Sequence, residues 1–274
     1  MGSRMARHIL DAGHELTVWN RTPGAANELV SAGAHRADSA AAAARGTQLL
    51  MTMLATPEAV REVVLDGGLL DEMPAGAVWA DSSTVGPAFV RECAAAAAQR
   101  GVRFLSTPVA GTREPAAAAT LKVLVGGPAD VLEDVRPVLE SYSAGVIHVG
   151  AEIDRGAAFK IIVNGMLAHS MLVYSEALHL GRAMGLGQDF LLKVVPNLPV
   201  IAPFVGAKTE MVRSGDYADA SFPLELLHKD INLLVEAAYE YGCPLPLAAL
   251  SRELYGAARA AGRGREDFAA VHAR

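Results

Sequence analysis

The sequence predicts an α/β domain with a mainly parallel sheet over residues 1–152, followed by an all-α domain over residues 153–274. Three observations carry this. As far as Gly150, short apolar runs alternate with Ala-rich helical stretches, the pattern of repeated βαβ units. From Ile153 onward no strand pattern recurs and only long helical segments remain. At 274 residues the chain suits two domains of ordinary size.

The elements follow in order. A first helix begins just after Met1-Gly2. Residues 15–19 read as a strand, and Thr22-Pro23 as an N-cap and first-turn proline opening a helix to about Ala32. Residues 48–54, 77–81, 102–105, 121–125 and 146–149 are the further strands. Helices lie between them, notably over 86–99 and 128–142. The alanine runs at 40–44 and 94–98 fall where crossover helices belong, and Ala is the best helix former. The helical half is predicted over 155–184, 189–195, 223–241 and 247–261. The first of these, about 30 residues and roughly 45 Å long, is expected to span a domain junction or a subunit interface.

Composition excludes several function classes. Hydrophobic residues are 51% and charged residues 20% of the chain, and mean hydropathy is +0.25, so a large core can form. A net charge of −6 argues against a nucleic-acid footprint, which needs a clustered basic surface. Two cysteines, Cys93 and Cys243, are too few for a disulfide framework. No metal-ligand spacing of histidines occurs. No apolar stretch reaches the roughly 18 residues of a membrane span, and no signal-peptide core is read at the start. The expectation is a cytoplasmic protein without metal, membrane or nucleic-acid partner.

The chemistry-bearing feature is Lys160 with Asn164, four residues apart in an apolar helical segment and so on one helix face. Burial lowers a lysine's pKa and makes it a proton donor near neutral pH; on the pair alone, a snorkelling lysine beside a solvated asparagine stays open. The second feature is Asn20-Arg21-Thr22 at the end of the strand over 15–19. In a dinucleotide-binding unit that position meets the adenine ribose, and an arginine in place of a carboxylate accommodates a 2′-phosphate. NADP is therefore expected over NAD.

These motifs, with others in order, resemble the β-hydroxyacid dehydrogenase family along essentially the whole chain. Met1 to Ala6 resembles the end of that family's glycine-rich turn, and Gly13 to Thr22 its second strand and phosphate-selecting loop. Asp81-Ser82-Ser83-Thr84 resembles the strand end facing the nicotinamide, and Thr107 to Thr112 the substrate-anchoring loop. Phe222-Pro223-Leu224 through Lys229-Asp230 resembles the late cofactor-reaching helix, and Asp267-Phe268 closes the pattern. The resemblance implies a Rossmann-type domain and a helical substrate and dimerisation domain. It implies Lys160 as proton donor and acceptor and Asn164 as its partner. The implied cofactor contacts are Gly2, Asn20, Arg21, Thr22, Met53, Leu54, Thr84 and Lys229. The substrate contacts are Ala110, Gly111, Thr112 and Asn164. Within the family, the Arg113-Glu114-Pro115-Ala116 insert looks most like the NADPH-linked glyoxylate and succinic semialdehyde reductases.

Two departures stand out. Ala110-Gly111-Thr112 replaces a loop that usually begins with serine, which removes a hydroxyl from the substrate carboxylate's site; loop N–H groups and Thr112 are the expected substitutes. The first strand and the first two glycines of the cofactor turn are also absent, so the natural chain is expected to carry about ten further residues ahead of Met1. The expected reaction interconverts a small hydroxy acid with an aldehyde or keto acid, in a homodimer or tetramer. An imine reductase and a non-catalytic cofactor-binding module are the alternatives, and retention of Lys160 favours carbonyl chemistry.

Overall fold

The structure, a computed structural model, describes residues 1–273. The chain divides into two compact units, Met1–Lys160 and the chain from Ile161 onward. The division falls inside the helix that begins at Arg155.

The first unit is the α/β one. Its strands in chain order are β1 (Thr17–Val18), β2 (His35–Arg36), β3 (Leu49–Thr52), β4 (Val78–Asp81), β5 (Arg103–Ser106), β6 (Val109–Ala110), β7 (Leu121–Gly126) and β8 (Ser143–Gly150). They form two sheets. β1 and β2 pair in parallel. In the larger sheet β3, β4 and β5 run parallel, β7 runs antiparallel to β5 and β6 and β8 runs parallel to β7. Among the described residues no strand precedes the first helix, and β1 and β3 each have a ladder on one side only. The expectation of a mainly parallel sheet holds for the centre and gives way at β7, because the ten residues from Gly111 to Thr120 that join β6 to β7 are too few for a parallel crossover.

The helices of this unit are α1 (Gly2–Asp11), α2 (Asn27–Ser31), α3 (Ala40–Ala44), α4 (Pro57–Val60), α5 (Pro87–Ala98), α6 (Arg113–Ala117) and α7 (Ala129–Ser141). Ser39 caps α3 by accepting the Ala42 N–H at 3.0 Å, and Thr56 caps α4 by accepting the Ala59 N–H at 3.2 Å. The helix expected from Thr22 to Ala32 is broken in two. Pro23–Ala26 form a 3₁₀ turn without a side-chain cap bond from Thr22, and α2 starts only at Asn27; Gly24 in the first turn is a poor helix former.

Strand side chains alternate between two cores. Trp79 and Phe104, directly paired across β4 and β5, meet edge to face at 4.7 Å between ring centres and join Val60, Leu70, Val90 and Cys93 on one face of the sheet. Their neighbours Val78 and Leu105 point the other way, onto Leu121, Val123, Val125, Leu132 and Leu139, with Met5 and Ile9 of α1.

The second unit continues α8 (Arg155–Ala183) and adds α9 (Gln188–Val194), α10 (Thr209–Ser214), α11 (Leu224–Glu240) and α12 (Pro246–Ala258). Ala168, Met171, Tyr174 and Leu178 of α8 pack with Leu227 and Ile231 of α11, Tyr255 of α12 and the segment Phe268–Val271. Asp267, fully buried, ties that last segment down. Its Oδ2 accepts from Lys208 Nζ at 2.7 Å, from Ser221 N and Oγ at 3.0 Å each, and from Phe222 N at 3.3 Å; its Oδ1 accepts from Ala269 N at 3.1 Å.

One expectation needs correcting. α8 does reach the length and hydropathy of a membrane span, with a mean of 1.4 over 18 residues. Asn164, His169, Ser170 and Ser175 interrupt the apolar run without lowering that mean enough. Half of the window is buried within the protein, as in a core helix. Its outward face keeps Ile162, Met166, Val173 and Leu180 exposed.

Candidate active site

Parallel strands put their C-terminal ends on one edge, and that is where open α/β sheets place ligands. In the first unit β3 ends at Thr52, β4 at Asp81 and β5 at Ser106, neighbours in register. All three side chains are buried. Asp81 organises the edge. Its Oδ1 accepts from Thr52 Oγ1 at 2.7 Å, from Ser83 Oγ at 2.7 Å and from Ser83 N at 3.2 Å. Thr52 Oγ1 in turn accepts from the Trp79 indole N–H at 2.8 Å, and Ser83 Oγ from the Leu54 N–H at 2.9 Å. Ser82 and Thr107 share a hydroxyl hydrogen bond at 3.0 Å. The sequence-predicted cofactor contacts Met53, Leu54 and Thr84 thus lie on two adjacent loops knotted to one carboxylate. Burial, with the neighbouring Asp81 charge second, pushes the Cys93 thiol up, so this cysteine stays protonated and unreactive.

Gly2 opens α1 beside this edge. A Cβ built on it would stand 3.6 Å from the Met53 side chain, so the N-terminal end of α1 faces the loop after β3. Helix N-termini offer free N–H groups to anions, and here they adjoin the strand ends where a pyrophosphate would be held. Asn20, Arg21 and Thr22 follow β1, in the smaller sheet. Asn20 Nδ2 donates to Thr22 O at 3.0 Å, which shapes the turn, and Arg21 is exposed. These groups fit a nicotinamide dinucleotide.

The substrate-loop candidates stand after β6. Gly111 has φ +129°, and a Cβ there would meet Leu121 Cδ2 at 2.6 Å, so glycine is required by both conformation and space. The Thr112 hydroxyl donates to Glu114 Oε2 at 2.9 Å. That bond engages it within the loop.

Lys160 is placed by glycines. A Cβ at Gly156 would stand 2.5 Å from Leu124 O and 2.8 Å from both Gly126 N and Ser106 O. Only two residues without side chains, Gly126 and Gly156, allow the first turn of α8 to sit backbone to backbone on the ends of β5 and β7. One turn later comes Lys160, 7% exposed. The snorkelling alternative does not hold.

In the second unit Asn164, 2% exposed, donates its amide Nδ2 to Asp230 Oδ2 at 2.6 Å. Lys229 Nζ stands 2.9 Å from Asp230 Oδ1, its side chain 18% exposed. Two predicted site residues, from α8 and α11, therefore meet on a carboxylate that sequence reading did not assign. The pair Lys229-Asp230 was the available signal. Likewise Thr52, a lone hydroxyl in an apolar strand, was the available signal for the Asp81 network. His169 and His228 are partly buried with their protonated forms disfavoured by burial.

Comparison with known proteins fits this arrangement. The family profile described as the NAD binding domain of 6-phosphogluconate dehydrogenase matches residues 1–150. That described as NAD-binding of NADP-dependent 3-hydroxyisobutyrate dehydrogenase matches residues 155–273. The chain belongs to the β-hydroxyacid dehydrogenase family. Within that family the chain is 34% identical to the NAD-dependent L-serine dehydrogenase of Pseudomonas aeruginosa, over 99% of this chain and 93% of the relative. It is 32% identical to glyoxylate/succinic semialdehyde reductase 1 of Arabidopsis thaliana, over 99% and 93%. The solved 3-hydroxyisobutyrate dehydrogenase of Mycobacterium tuberculosis with L-serine is 30% identical, with a TM-score of 0.88 over 100% of this chain and 94% of that one. The protein is accordingly an NAD(P)-dependent hydroxyacid dehydrogenase or reductase, with a Rossmann-type domain and a helical domain.

Proposed function

We propose that this enzyme prefers NADP and interconverts a short hydroxy acid with its aldehyde or keto acid, using Lys160 as proton donor and acceptor. The observation that carries the reading is the burial of Lys160 and Asn164 one turn apart on a continuous helix, at 7% and 2% exposure. A nicotinamide, when bound, supplies or takes the hydride. Lys160 holds the substrate oxygen through its ammonium, stabilises the negative charge that develops there and gives up a proton. In the oxidative direction it takes that proton back. Asn164, fixed through its amide nitrogen to Asp230, orients the substrate beside the lysine. Lys229, held by the same carboxylate, is the proposed cofactor contact.

The preference for NADP rests on Arg21, exposed at the turn after β1 where a 2′-phosphate would be received. Ala110 in place of a serine, with Thr112 bonded to Glu114, leaves backbone N–H groups to anchor a carboxylate and suits a less polar substrate than the smallest hydroxy acids. The exposed apolar residues Ile162, Met166, Val173 and Leu180 of α8 suit a homodimer seam. Turnover of NADPH with short aldehydes, keto acids and cyclic imines, and of NADP⁺ with L-serine and other β-hydroxy acids, tests the reading. Activity confined to imines, or none with any hydroxy acid or carbonyl, would refute it. A monomer mass by light scattering would refute the dimer.

A further inference from the structure

β4 and β5 part at the edge where the candidate site stands. Among the described residues their last backbone hydrogen bond runs from Thr107 N to Asp81 O at 2.8 Å. The next residue after β5 is Pro108, which has no N–H to continue the ladder. Its carbonyl accepts from Leu124 N at 2.8 Å, on the β7 side. Beyond that point a side-chain hydrogen bond still joins the two strands, between Ser82 Oγ and Thr107 Oγ1 at 3.0 Å. Both residues are buried, at 1% and 0% exposure, so bulk water does not compete for it. Tyr142, also fully buried, brings a third hydroxyl close to Ser82 without closing a hydrogen bond. Burial pushes its pKa up, with Ser82 opposing, and it stays a neutral hydroxyl.

The loops that leave this bond carry different halves of the proposed chemistry. Residues 82–84 lead to Thr84, a cofactor contact, and residues 108–112 form the substrate loop. Ala110 has no polar side-chain group, and the Thr112 hydroxyl is given to Glu114. Neither ties the substrate loop to the cofactor loop. We propose that Ser82 and Thr107 are positioning residues, whose hydroxyl bond sets the spacing between the loop that holds the cofactor and the loop that holds the substrate. This rests on the reading of those two loops given above. The spacing fixes the distance the hydride travels, and a misplacement of about 1 Å between reacting centres can cost about 10²-fold. The bond acts on turnover rather than on affinity, since each ligand keeps its own loop.

Ser82→Ala, Thr107→Val and the double variant test this through four quantities: kcat per cofactor-binding site, KM for the carbonyl substrate, cofactor Kd and Tm. Each single variant is expected to lower kcat about ten-fold while KM and Kd stay within about two-fold. The double variant should lose no more than the worse single one, because both act through one bond. Thr107→Ser keeps a hydroxyl and should recover most of the lost turnover. Tyr142→Phe removes a buried hydroxyl without a partner, so kcat should hold and Tm stay or rise. Unchanged kcat in both single variants, additive losses in the double one, or no recovery in Thr107→Ser would each overturn the inference. A lower Tm with kcat per site unchanged would overturn it as well, by making the bond merely structural. Should Thr107→Val fold poorly, Ser82→Ala, which trims a single oxygen, decides on its kcat alone. If the unmutated protein turns over no carbonyl or hydroxy acid, the reading of the site fails first and the inference with it.

Discussion

Asp230 and Asp267 are both buried carboxylates of the helical unit and both hold a lysine, yet their surroundings differ in kind. Asp267 is wrapped by backbone: three of its donors are N–H groups of Ser221, Phe222 and Ala269, and its lysine, Lys208, is itself buried, with its ammonium 4.8 Å from the centre of the Phe268 ring. Asp230 meets side chains from two helices, Asn164 and Lys229, and its lysine keeps an exposed fraction. A carboxylate that satisfies backbone closes a fold. One that collects side chains from separate helices fixes their orientation. Distance and burial alone do not separate these roles; the identity of the donors does.

Substitutions at four positions would break or sharpen that contrast, and the first marks its functional extreme. Lys160→Ala is expected to lower turnover roughly 10²- to 10⁴-fold, because only a proton donor is lost. Cofactor Kd and Tm should stay close to those of the unmutated enzyme; near-normal turnover would remove Lys160 from the chemistry.

Asp267→Ala marks the structural extreme. Removing one partner of a buried pair costs about 3–5 kcal/mol, and Lys208 would be left without its anion. Chemical denaturation should show that loss, with kcat of the folded fraction little changed. A stable variant with impaired kcat would erase the distinction drawn here.

Asp230→Asn should behave in the opposite sense. Tm is expected to fall little, since an amide oxygen still accepts from Asn164. The value of kcat/KM should drop about ten-fold as Lys229 loses its counter-charge, and Asp230→Leu should drop it further. Equal losses in the Asn and Leu variants, or a collapse in stability, would make Asp230 another Asp267.

The smallest effect belongs to the first unit. Arg21→Ala should erase a preference for NADPH over NADH worth roughly ten-fold or a little more, the size of one charge-assisted hydrogen bond at an exposed site. Equal affinities before mutation would remove the assignment.

How far the sequence could be read follows the range of the interactions. Lys160 and Asn164 were legible because a helix brings i and i+4 together by local geometry and because polar groups in an apolar run are conspicuous. Thr52 to Asp81 spans 29 residues and Asn164 to Asp230 spans 66, so neither contact leaves a local periodicity. β2 and β6, two residues each, owe their existence to partners across the sheet, and propensity over so short a stretch carries little information. α6 was missed because Pro115 reads as loop, although it stands in the first turn, where a missing N–H costs nothing.

The seating of α8 on Gly126 and Gly156 bears on how such an enzyme could be re-engineered. Gly156 seats the first turn of α8 on Gly126 by a backbone contact that admits no side chain, and Lys160 follows one turn later. On the proposed reading the proton donor is thereby held by a fixed backbone contact, and the short run Ala110 to Arg113 is where the substrate range would be set. If that reading holds, a library randomised at 110, 112 and 113 changes the carbonyls accepted and leaves Lys160 in place. One randomised at 126 or 156 explores mostly dead protein.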